Sequence, residues 1–260
     1  MQDSELILLN NRGLFPGPSE SQEQFLKRVS GVKNLIVSEA HIRTGEIFDA
    51  CPDWVEIWSG KKGLSLWEGA ATWIEENEKG GHVSSIQLNT SLPSRLYSKV
   101  EVIAHEMAHA MRLMFEENRF EEILAFRSST NRFRRYFGPL FTRSSETKGF
   151  ILSMVCSWLF YWVELIFDIF IGGEYLLWSP MLILAWGICR LVRSQKIFSK
   201  ALNQLEKTIK KPGKALAVAL RLSDTEIERF ATSSPEEIFS FGAEEKKRSF
   251  RWKQLFAAYF

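Results

Sequence analysis

Histidine is scarce in this chain, with four residues in 260. Cysteine is scarcer: Cys51, Cys156 and Cys189 form no closely spaced pair and cannot all be bridged. That excludes a cysteine metal cluster and a disulfide scaffold, and it points to a reducing compartment. A strong excess of one charge is also missing. A net charge of +2 supplies no overall field for nucleic acid, so no nucleic-acid partner is expected. The start Met1-Gln2-Asp3-Ser4-Glu5 lacks a basic region and a long apolar run, so no cleaved secretion signal is expected. Internal repeats and low-complexity tracts are absent as well. With 45% hydrophobic residues, the chain can bury a sizeable core, as one main domain with additions.

Two of the few histidines fall in one short stretch, Val102-Ile103-Ala104-His105-Glu106-Met107-Ala108-His109-Ala110-Met111. One helical turn apart, His105 and His109 project from the same face, so their imidazoles can converge on one cation. Glu106 stands beside them, where a carboxylate can hold a metal-activated water and take its proton. Such chemistry needs neutral imidazole nitrogens, an open coordination position and a base. The flanking positions Val102, Met107, Ala108, Ala110 and Met111 are uncharged, as in a helix buried behind a site. The stretch resembles the extended signature of the zincin metallopeptidases, including the valine three residues before the first histidine. The resemblance implies Zn²⁺ as cofactor, His105 and His109 as ligands, Glu106 as catalytic base and a protein or peptide substrate.

A third ligand is required by the usual catalytic zinc site. No histidine follows His109, and the position six beyond it is Phe115, so a third histidine of the metzincin kind is absent. His41 and His82 lie upstream and read as ordinary surface or core residues. The carboxylates Glu116, Glu117, Glu121 and Glu122 remain, and Glu122 is favoured. Glu122-x-x-Ala125 is similar to the glutamate helix of the gluzincins, and Glu-Glu-x-x-Ala-x-x-Ser resembles the third-ligand segment of lethal-factor-like bacterial metallopeptidases. Glu121 is the fallback ligand, or otherwise support for a histidine. The spacing departs from the gluzincin pattern. A helix continuing to Glu117 would carry the chain roughly 12 Å past His109, so the return to the metal has to be abrupt. For a transition-state donor, Tyr97, Tyr136, Arg112 and Arg127 are available, and nothing in the sequence selects among them.

Around the motif the chain reads as α+β. Residues 1–30 are expected to be a flexible segment, broken at Pro16-Gly17-Pro18-Ser19, with a short helical pattern near Glu23–Val29. A zincin-like domain over 31–149 would consist of a small sheet, the active-site helix and a glutamate helix. Its expected strands are Asn34–Ser38, Val55–Ser59, Ala70–Ile74 and His82–Asn89, with a helix over Thr44–Ala50. The last two strands join through Glu78-Lys79-Gly80-Gly81, and by resemblance this hairpin forms a cleft rim able to pair with an extended peptide. Ser98-x-x-Glu101 is a capping-box pattern that starts the active-site helix at Lys99, with neither Gly nor Pro through Glu117.

Phe150–Ile171 is long and apolar enough to cross a bilayer as a helix, and Tyr175–Val192 is a second apolar run. A short Gly172-Gly173-Glu174 connection makes residues 150–193 a transmembrane helical hairpin. Arg132, Arg134, Arg135, Arg143 and Lys148 precede it, and Arg190, Arg193, Lys196 and Lys200 follow it. The positive-inside rule then gives an integral membrane protein with two spans and its catalytic domain in the cytoplasm. Glu164 and Asp168 fall inside the first expected span, where charge is costly. Facing a partner helix, staying protonated or sitting in a homo-oligomer interface would each relieve the cost. Residues 194–260 form a small helical C-terminal module, with helix starts at Ser223 and Ser233-Ser234-Pro235 and core candidates Trp252, Leu255, Phe256 and Tyr259. Lys246-Lys247-Arg248 reads as a solvated face. The expected function is a membrane-anchored zinc metalloendopeptidase in which His105, His109 and Glu122 bind Zn²⁺ and Glu106 is the general base. The competing reading is a catalytically silent zincin-fold membrane scaffold or interaction protein.

Overall fold

The computed structural model describes residues 1–64, 69–76, 82–90, 98–168, 173–176 and 178–260. Within residues 1–30, helix α1 (Asp3–Asn11) forms where a flexible segment was expected, whereas α2 (Gln22–Ser30) covers the short helix expected near Glu23–Val29. Ser21 caps α2, its hydroxyl accepting from the Gln24 amide, and the Gln24 side chain returns the bond. What ties the segment down is burial: Leu14, Phe15 and Phe25 are all within the core. Two glycines make the approach possible. Gly13 has φ +68°, and at Gly17 a β-carbon would come within 2.4 Å of the Met114 carbonyl oxygen.

Helix α3 (Glu39–Phe48) begins earlier than the expected Thr44–Ala50, because the Ser38 amide donates to His41 Nδ1 and starts it. The strand expected at Asn34–Ser38 does not form. That stretch makes one backbone bond toward the sheet, Leu35 N–H to the Asp53 carbonyl, and leaves Ile36 92% exposed. Its ends are engaged elsewhere, Asn34 by Arg12 and Ser38 by His41.

Strands β1 (Glu56–Ser59), β2 (Ala70–Glu76) and β3 (His82–Leu88) form a mixed sheet of order β1-β3-β2. β1 runs parallel to β3, and β2 runs antiparallel to it with Thr72 opposite Ile86. β2 is therefore an edge strand. The Glu78–Gly81 turn lies outside the described residues.

Helix α4 (Lys99–Met111) carries the two neighbouring histidines. Ser98 caps it as expected, but Glu101 does not close a capping box; it bonds Ser129 and Thr130 of a later loop. The helix ends at Met111, not near Glu117. α4 lies between two cores. Met107 and Ala110 face Leu14, Phe25, Trp54 and Ile86, whereas Ala108 and Met111 face Phe120, Leu124, Phe198 and Leu222. The third side, with His105, Glu106 and His109, is left for the site.

Short helices α5 (Glu121–Ala125) and α6 (Arg132–Phe137) lead to α7 (Ser144–Phe167). Among the described residues, Ser145–Phe167 is the helix long and apolar enough to cross a membrane, and only 6% of its most apolar window is buried. It is shorter than the expected Phe150–Ile171 at its far end. Asp168, with φ +49°, terminates it, so this acid sits at the end of the helix and not within it. After α8 (Gly173–Leu176) comes α9 (Trp178–Thr208), which packs antiparallel to α7. Ser157 Oγ bonds the Leu176 carbonyl, and Arg190 pairs with Glu146.

The expected boundary at 193/194 is crossed without a break by α9, whose Phe198, Ala201 and Leu205 enter the same core as Ala108 and Phe120. Helices α10 (Ala215–Ala219), α11 (Asp224–Phe230), α12 (Pro235–Arg248) and α13 (Phe250–Tyr259) complete that core. Ser223 and Ser234 cap α11 and α12, as their sequence patterns indicate. The architecture is thus α+β: mostly helical, with a small mixed sheet and one long apolar helix.

A buried ionic knot holds the C-terminal helices. Glu226 accepts from both terminal nitrogens of Arg251 at 2.8 Å, from the Trp252 indole and from the Ser223 amide. Burial alone would raise the Glu226 pKa, but the Arg251 charge and these bonds hold it below the usual value. Because the folded value is depressed, its contribution is complete above the unfolded value of about 4.3 and is lost as pH falls through the folded one. Glu226→Gln leaves Arg251 buried without its partner and is expected to cost about 3–5 kcal/mol. Thermal melts followed by tryptophan fluorescence should show a large fall in Tm at neutral pH. The difference from wild type should shrink under acid.

Candidate functional site

Three residues expected to act together do meet. His105 and His109 bring their Nε2 atoms 3.2 Å apart on one face of α4. Glu122, from the start of α5, faces both: Oε2 lies 3.6 Å from His105 Nε2 and Oε1 3.6 Å from His109 Nε2. Among the described residues, these three form the group able to hold a metal ion. Donor atoms about 2.0–2.2 Å from a tetrahedral zinc lie roughly 3.3–3.6 Å apart. The two histidine–glutamate separations fall in that range and the histidine pair just below it, so the donor set is close to what that ion needs.

The far sides of the two imidazoles are also held. His109 Nδ1 is 2.7 Å from Glu121 Oε1, and His105 is hydrogen-bonded to the Ala125 backbone. The Phe126 ring packs edge-on against His105 with centroids 4.6 Å apart. A hydrogen bond at Nδ1 fixes which ring nitrogen faces the cation and how the ring is turned. Glu121 thus meets His109 on the side away from the three-donor group.

How the chain returns from His109 to Glu122 in so few residues follows from the early end of α4. At Arg112 the helix stops, and Glu116, with φ +50°, helps turn the chain back. The buried Arg112 guanidinium donates through Nη1 to the carbonyls of Leu220 and Leu222, each at 2.8 Å, and lies over the Phe115 ring. The turn is clamped against α11: Arg119 N–H donates to Asp224 Oδ2, and Asp224 N–H to Glu117 Oε2.

Charge in the pocket is unbalanced. Burial opposes a proton on His109, yet the Glu121 hydrogen bond and the charges of Glu122, Glu121 and Glu106 carry its pKa up to about 10. His105 is pushed the opposite way, first by burial and then by His109 and Arg134. Glu122 is raised by burial, with Glu106 and Glu121 adding to the effect of burial and His109 opposing it. Three carboxylates around two imidazoles demand positive charge, and a divalent cation among the three donors satisfies that demand more completely than one proton.

Glu106 lies at the edge of a cleft of about 400 Å³ shared with Thr72, Ile74, His109 and Glu121. The Thr72 hydroxyl, on edge strand β2, is 2.8 Å from Glu106 Oε2 and 3.2 Å from its backbone carbonyl. Thr72 is the residue that sequence reasoning missed. It stands 34 positions before Glu106 in a strand the sequence does indicate, but only the sheet register turns this one side chain toward Glu106.

The other candidates do not join the group. His41 is buried at the start of α3, and His82 begins β3 opposite Glu76. Of the possible donors, Arg112 reaches the cleft wall but is bound to carbonyls, Arg127 donates to Gln195, Tyr136 lies on α6, and Tyr97 is outside the described residues. Comparison of the chain with protein-family models, with curated proteins and with solved structures finds no match.

Because Glu121 orients His109 without joining the three donors, the two glutamates should separate experimentally. Glu122→Ala is expected to abolish stoichiometric zinc binding. Glu121→Ala should keep the stoichiometry and weaken affinity about 10–100-fold. Competition against a chromogenic chelator, with metal content measured in parallel, distinguishes the two. Equal loss in both variants would overturn the separation of roles, and the reverse pattern would exchange them.

Proposed function

We propose that this chain is a membrane-anchored zinc metallopeptidase whose catalytic base is Glu106. The observation that carries the reading is the convergence of His105, His109 and Glu122 at zinc-compatible spacings, with a buttressed carboxylate beside them in an open cleft. Zinc held by these three residues would polarise a scissile carbonyl and make water acidic enough to lose a proton near neutrality.

Glu106 takes that proton as the water oxygen bonds to the carbonyl carbon, then passes it to the leaving amine as the C–N bond breaks. Thr72 holds one of its oxygens and keeps the carboxylate from swinging away. Glu121 keeps the His109 ring turned for coordination. β2 has an open edge among the described residues, and an extended substrate would pair with it through backbone hydrogen bonds. A protein or peptide is therefore the substrate class, and a zincin-like arrangement of sheet, helix and glutamate helix is the finer fold reading.

The membrane part of the proposal rests on α7 and α9. Trp158, Leu159, Leu165 and Ile166 on α7, with Trp178, Leu182 and Trp186 on α9, are exposed large hydrophobic side chains. Two spans with both ends in the cytoplasm agree with the basic residues that flank them. At about 1.5 Å per residue, Ser145–Phe167 measures roughly 35 Å, enough for a bilayer core of about 30 Å. Asp168 then lies at the far interface, and Glu164 stands one turn inside it.

The test is hydrolysis of unfolded casein and of a quenched-fluorescent peptide library by the detergent-purified full chain. Wild type should cleave and should carry about one zinc per chain. Glu106→Gln should keep the zinc and lose about 10²–10⁴-fold in kcat. Thr72→Val should lower kcat with zinc content unchanged, and Thr72→Ser should restore it. A wild-type chain that binds no zinc under reducing, chelator-free conditions ends the enzyme reading in favour of a silent scaffold.

A further inference from the structure

α9 changes character along a single face. Its inward side, through Gly187, Leu191, Phe198, Ala201 and Leu205, is buried against the rest of the chain. The opposite side is apolar at first, with Trp178, Met181, Leu182 and Ile188 exposed. It then becomes basic at Arg193, Lys196 and Lys200, whose spacing of three and four keeps them on one helix face.

The two characters overlap. Ile188, Val192 and Ile197, together with these three cations, line one surface depression of about 490 Å³. No acidic residue occurs between Trp178 and Leu205, and the three cations make no ion pair among the described residues. Arg190, one helical turn before, differs sharply. Glu146 neutralises it, and it lies over the Trp186 ring with its carbon 4.6 Å from the centroid. Unneutralised charge therefore starts only beyond Arg190, where the apolar outward face gives out.

We propose that this depression binds an anionic phospholipid, the upper acyl chain against Ile188 and Val192 and the headgroup phosphate among Arg193, Lys196 and Lys200. The proposal rests on the membrane reading given above. Its chemistry follows from two features acting together. An apolar floor suits a chain that must stay out of water, and an uncompensated triple positive charge suits a headgroup with net negative charge over a zwitterionic one. A wholly hydrophilic acidic partner would find the cations but would leave the half-buried apolar floor beside them in water.

The experiment uses the full chain in nanodiscs of phosphatidylcholine, with or without a minor fraction of phosphatidylserine. Lipids that remain bound when the disc is dispersed are counted by native mass spectrometry. Wild type should retain phosphatidylserine at least about tenfold above its share of the bilayer, and the preference should weaken as salt rises. The combined variant Arg193→Gln, Lys196→Gln, Lys200→Gln should lose the preference with an unchanged melting temperature. A variant with Lys246→Gln and Lys247→Gln, on α12, should keep it. Retention in proportion to abundance by wild type, or an undiminished preference in the triple variant, overturns the lipid site while the anchored protein still stands. A chain that leaves the membrane fraction once detergent is removed, whatever the lipid, overturns the membrane reading and this site with it.

Discussion

The arrangement depends on a helix that stops early. α4 delivers two imidazoles and a carboxylate to one side, but its third partner arrives only if the chain reverses almost at once. Arg112 makes that reversal possible. Buried at the helix end, its guanidinium is held by two carbonyls from the segment between α10 and α11, and that contact anchors the place where the chain leaves the helix. A buried guanidinium that lost those carbonyls would carry a large desolvation cost. The following turn is then fastened to the N-terminus of α11 by paired backbone-to-carboxylate bonds at Arg119 and Asp224. Glu226, which organises that N-terminus, is itself bound by Arg251 and Trp252 from the last helix. Contacts thus run from the far end of the sequence to the position of Glu122.

This path explains why the C-terminal helices share a core with α4 and α5. Phe120, Ile123 and Leu124 have no room to be buried by the small sheet, which already packs on the other side of α4. They are covered instead by α9 through α13. The N-terminal segment is drawn in for a related reason. Arg221, wholly buried, takes Asn10 Oδ1 and the Phe48 carbonyl as partners and stacks over Phe15, so the first residues complete the solvation of an interior charge. A buried charge is costly unless its donors find partners, and all three Arg221 nitrogens do.

Within the pocket, the balance of charge and the geometry of donors agree. The acids that bring His109 up to about 10 are the same groups that would ligate, orient or work beside a divalent cation. Glu121 and Glu122 are adjacent in sequence but are given different tasks, because a helix turns neighbouring side chains by about 100°. One reaches the outer nitrogen of His109, the other the shared inner position.

Some of this was legible from residues alone. The histidine spacing, the Ser98 cap, the two strands nearest the motif, the caps at Ser223 and Ser234 and the long apolar helix all carry local sequence patterns that mark them. Glu122 was readable as a companion of His105 and His109 through its likeness to a known segment, whereas the turn that brings it there was not. The end of α4 at Met111 was not readable, since no Gly or Pro marks it and the cause is a guanidinium meeting carbonyls more than a hundred residues away. Thr72 beside Glu106, helix α1, the absence of a strand at Asn34–Ser38 and the unbroken α9 have the same origin. Each is decided by which distant surface is there to be packed against or bonded. The sequence determined which groups could do chemistry, and the tertiary structure determined which of them meet, because only long-range burial and hydrogen-bond satisfaction fix where a chain turns.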